Sequence, residues 1–152
     1  MGPKRFAAIA ALSILLVILP GCGRRHAESY SGWWAEKISE RVVASFSPCD
    51  GGFSVEIGWR EDGLAQYGRW SMTAVPDGKG GLDYRDGRYL LRTLEHEGDT
   101  VYTEETVYVD GTGRFFINPD GNLVWTDGKD PEGEPSVFIK VDPDRAAGLS
   151  IH

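Results

Sequence analysis

The sequence predicts an all-β protein, an up-and-down antiparallel meander of about eight or nine strands closing into a barrel and preceded by a signal peptide. A two-sheet β-sandwich is the alternative architecture. Three observations carry the expectation. Asp-Gly pairs punctuate the chain at Asp50-Gly51, Asp62-Gly63, Asp77-Gly78, Asp86-Gly87, Asp110-Gly111, Asp120-Gly121 and Asp127-Gly128, with Glu97-Gly98-Asp99 filling the one long gap. Gly accepts a positive φ without a Cβ penalty and Asp tolerates it, so the pair suits tight hairpin turns. Between the turns apolar residues alternate with polar ones, and no segment after the signal carries a helical period apart from a short stretch at Trp34 to Ile38.

The elements follow in order. Lys4 and Arg5 precede an uncharged apolar run from Phe6 to Leu19, the layout of a signal peptide over residues 1–21. As a helix that run covers roughly 21 Å, short of the roughly 30 Å of a bilayer core. Residues 22–29 are polar and read as a tether, and residues 30–141 as the barrel domain. Val42, Ala44 and Phe46 form one face of a strand; Phe53, Val55, Ile57 and Trp59 form the next, against Ser54, Glu56, Gly58 and Arg60. Trp70, Met72 and Ala74 follow, then Phe115 and Ile117, Leu123 and Trp125, and a last strand from Val137 to Val141. Tyr89 to Glu97 and Thr100 to Val109 have two mixed faces, fitting an edge or a partly polar interior. Residues 142–152, opening on Asp142-Pro143-Asp144-Arg145, read as a frayed tail.

Leu19-Pro20-Gly21-Cys22 resembles the bacterial lipobox. That resemblance implies a lipidated Cys22 that becomes the new N-terminus, a two-chain glyceride anchor, and a domain held in the cell envelope outside the cytoplasm. Two chains give stable anchoring, because each buried methylene contributes about 0.8 kcal/mol. Removing residues 1–21 takes Lys4 and Arg5 from the 16 basic residues and nothing from the 23 acidic ones, leaving 131 residues with a net charge of −9. Such an acidic surface argues against nucleic acid as a partner. With Cys22 lipidated, Cys49 has no cysteine partner and is expected to be a small buried or half-buried residue; without lipidation, a Cys22–Cys49 bridge becomes an option.

Gly32-Trp33-Trp34, ahead of the first long strand, looks like the Gly-x-Trp that opens lipocalins and their avidin-like relatives. The resemblance implies a lipocalin-like barrel whose tryptophan plugs the closed end. The chain is also similar to small exported β-domains of Clostridia-type bacteria. The matching residues are Ile38-Ser39-Glu40-Arg41, Gly51-Gly52-Phe53 with Trp59, Trp70, Gly80-Gly81-Leu82-Asp83-Tyr84, Gly111-Thr112-Gly113-Arg114-Phe115 and Leu123-Val124-Trp125-Thr126-Asp127. That group implies a fold and brings no catalytic residues.

The chemistry-bearing residues point away from an enzyme. His26, His96 and His152 stand apart from any nucleophile, and neither Gly-x-Ser-x-Gly nor His-Glu-x-x-His occurs. Glu104 and Glu105 would point to opposite faces of a strand. Asp127, Asp130, Glu132 and Glu134 supply oxygen on one loop without EF-hand spacing and read as a solvated acidic turn, so neither a metal nor a cofactor is expected. Trp34, Trp59, Trp70 and Trp125 fall on inward faces or strand ends. They build either a core or the wall of a pocket for an apolar or planar small molecule. Tyr67, Tyr84, Tyr89, Tyr102 and Tyr108, if outward, would stack on sugars or meet a protein partner.

Overall fold

A computed structural model of the chain describes residues 28–60, 66–95 and 101–149. The signal peptide, Cys22, all three histidines and the turns at Asp62-Gly63 and Glu97-Gly98-Asp99 lie outside them. The described residues form eight strands: β1 (Gly32–Glu36), β2 (Val42–Cys49), β3 (Gly52–Arg60), β4 (Gln66–Pro76), β5 (Leu82–Leu94), β6 (Tyr102–Ile117), β7 (Leu123–Asp127) and β8 (Ser136–Val141). Each pairs antiparallel with the next, and β1 pairs with β8 through Trp33↔Val141 and Glu36↔Phe138, so the meander closes into a barrel. Closure leaves no unpaired edge along the staves.

Period-two patterning does what it predicts. Phe53, Val55 and Ile57 of β3 are buried while Ser54 and Glu56 face water, and Ala44, Phe46, Met72 and Ala74 join them inside. Phe46 meets Phe115 edge-on at 5.0 Å between ring centres. Each such fully buried side chain contributes about 1.5–3 kcal/mol relative to exposure. One end of the barrel is sealed. Residues 28–30 form a helical turn whose Tyr30 is buried and donates from its hydroxyl to the Gly80 carbonyl at 2.8 Å. Trp34, 1% exposed, donates its indole N–H to the Tyr30 carbonyl at 2.8 Å.

Several expectations are corrected. The Asp-Gly pairs at Gly51, Gly78 and Gly121 do sit in turns, with φ of 77°, 73° and 81°. Asp86-Gly87 and Asp110-Gly111 instead lie inside β5 and β6, paired Gly87↔Gly111 at a break in register. A Cβ on Gly87 would stand 2.8 Å from the Tyr84 ring, and one on Gly111 would stand 2.6 Å from the Tyr108 ring. These glycines make room for aromatic rings rather than for bends. The stretch from Trp34 to Ile38 is strand to Glu36, then a turn. The frayed tail is also replaced, because residues Pro143–Leu149 form a short helix, α1. Its Ala146 is buried, α1 contacts β1, and Arg145 pairs with Glu40. Cys49, expected to be buried or half-buried, is exposed and free at the β2–β3 hairpin.

Candidate functional site

The packed interior stops short of the end opposite Tyr30. There the barrel opens into a cavity of about 1090 Å³. Val42, Trp59, Trp70, Tyr89, Tyr108 and Trp125 wall it, and the β7–β8 connection from Asp127 to Pro135 forms one lip. Drug-sized ligands occupy clefts of roughly 300–1,000 Å³ with mainly aromatic and apolar walls. Trp59 and Trp70 are half-buried because they face this space instead of the core. Three of the four tryptophans expected at a pocket therefore converge on one. Trp34 does not; it belongs to the sealed end.

The rings are held in fixed attitudes. Trp70 stacks on Tyr89 with 4.2 Å between centres and 11° between planes, and meets Trp125 edge-on at 5.5 Å. Tyr89 in turn lies 5.7 Å from Tyr108. Two hydrogen-bond relays run beneath them and end on one carboxylate. The Trp70 indole N–H donates to the Tyr108 hydroxyl at 2.9 Å, which donates to Asp127 Oδ2 at 2.8 Å. The Trp125 indole N–H donates to the Tyr84 hydroxyl at 3.0 Å, which donates to Asp127 Oδ1 at 3.4 Å. The Lys129 amide also reaches Asp127 Oδ1, at 3.0 Å.

Burial, reinforced by the Asp127 carboxylate, pushes the Tyr84 and Tyr108 phenols well above their ordinary value. Both stay protonated and keep donating across the neutral range. Lys129 lies 5.6 Å above the Tyr108 ring, with its ammonium bound to Asp110 at 2.8 Å.

Sequence reasoning missed Asp127 and the tyrosines. Asp127 read as part of a solvated acidic turn, yet it ties two strands' phenols to the lip. Tyr84 is buried, and Tyr89 and Tyr108 line the cavity rather than the outer wall. The signal available was Tyr84 two residues beyond Leu82, the same parity as a buried position. Among the described residues no group of three His, Cys, Asp or Glu side chains is placed to hold a metal ion. No helix among them is long and apolar enough to cross a membrane. Comparison of the chain with protein-family models, curated proteins and solved structures finds no match.

Proposed function

We propose that this protein is a membrane-anchored extracytoplasmic lipoprotein whose lipocalin-like barrel is a non-catalytic binding module, tethered through a lipid on Cys22. The observation that carries the binding role is the aromatic cavity of about 1090 Å³ left open at one end of an otherwise packed barrel. A protein that needed only a stable core would fill that end, since each large apolar side chain left half-exposed forgoes part of its burial energy. Phenols held neutral by burial and bonded to Asp127 serve as wall, not as acid or base. The address rests on the residues around Cys22 and on the charged and apolar segments that precede it.

A competing reading, a protein-interaction or inhibitor module acting through the acidic outer surface, draws on one feature. The β5–β6 hairpin exposes Val101, Tyr102, Val107 and Val109. Native mass spectrometry of the protein purified from its own cell envelope separates the two. A co-purifying small molecule is expected; repeated recovery of an empty chain bound to another protein would overturn the pocket.

A further inference from the structure

The wall and lip of the open cavity share one electrostatic sign. Trp59, Trp70, Tyr89, Tyr108 and Trp125 line it, and the π cloud of each ring is the negative pole of the aromatic quadrupole. The relays strengthen that pole. Each indole N–H donates to a phenol and each phenol donates to the Asp127 carboxylate, so electron density is pushed back into the rings along two chains. On the lip Asp127, Asp130 and Glu134 add carboxylates, while Lys129, the one basic residue among the described residues lining it, is matched by Asp110. The molecule already applies this attraction to itself, with the Lys129 ammonium over the Tyr108 ring.

We propose that the cavity takes an organic cation, a quaternary or protonated amine, seated among the Trp59, Trp70 and Trp125 rings with its charge towards the Asp127–Glu134 lip. This deepens the binding-module reading and rests on it. A neutral planar ligand would use the ring area alone, and an anion would meet three carboxylates. Only a cation uses both the aromatic wall and the lip, because a cation is attracted to the ring quadrupole as well as to the carboxylates.

The test titrates the full chain, following tryptophan fluorescence, with choline, with dimethylbutanol (its neutral isostere, carbon in place of the ammonium nitrogen) and with the uncharged dye N-phenylnaphthylamine. Choline is expected to bind about tenfold more tightly than its isostere, to displace the dye, and to weaken with added salt. Replacing Asp130 by Asn and Glu134 by Gln together, on the exposed lip, should cut the choline preference about twofold to fivefold. Trp59→Leu should cut it further by removing a π face while leaving apolar volume. Dye binding that choline does not displace, or an isostere that binds as well as choline, would overturn the cation and leave the pocket standing. If neither dye nor choline binds, the pocket falls as well.

Discussion

Asp127 shows how much one side chain can organise when its neighbours are aromatic. Its two carboxylate oxygens accept from phenols that lie 43 and 19 residues earlier in the chain, and those phenols accept from two indoles. Tyr84 is the member buried most deeply, at 3% exposure. Tyr84→Phe would leave the Trp125 N–H buried without an acceptor, which costs about 1–3 kcal/mol. The same change alters the response to alkali. A phenol whose folded pKa is raised adds stability that is whole below its unfolded value of 10.0 and is lost as pH rises towards the folded value. Urea midpoints of the wild type should therefore hold level through neutral pH and fall above about pH 10, and they should fall less steeply in Tyr84→Phe. Equal slopes would mean that the phenol is open to water.

The staves of the barrel are shaped by close approaches as much as by apolar patterning. On β6, Gly113 stands where β5 brings the Tyr84 ring across, and Gly111 stands against the ring of Tyr108 from its own strand. A Cβ at Gly113 would lie 2.3 Å from the Thr126 carbonyl oxygen and 2.4 Å from the Tyr84 hydroxyl, one of them backbone and unable to yield. Gly113→Ala should lower the unfolding free energy by about 1–3 kcal/mol. Gly148→Ala in α1 meets nothing within 4 Å and should be neutral or stabilising. Denaturation of the two variants side by side checks the claim, and a stable Gly113→Ala would show that the ring and β7 are free to move aside. Long strands such as β5 and β6 were hidden in the sequence for the same reason. Their Asp-Gly pairs resemble turn residues, but here glycine serves a ring above the strand, and only the pairing partner reveals which use applies.

At the scale of the whole molecule the barrel is divided into a sealed half and an open half. Tyr30, Trp34 and the aromatic core fill the first, and Trp59, Trp70 and Trp125 border the second. The proposed anchor at Cys22 precedes Tyr30 in the chain, and Tyr30 sits at the sealed end. Cys22→Ala should move the protein from the membrane pellet to soluble or unprocessed fractions; an unchanged pellet with normal size would refute the lipid. The turns at Gly51, Gly78 and Gly121 and the alternation along β3 were legible in the chain, because a hairpin bend and a two-sided strand are properties of a few consecutive residues. Which tryptophans border the cavity, and that Asp127 joins them, depended on the stagger with which β1 closes on β8 and on the registers of β4 to β7. Those registers set which distant side chains meet, and they come from the packing of every stave at once, which no short window of sequence contains.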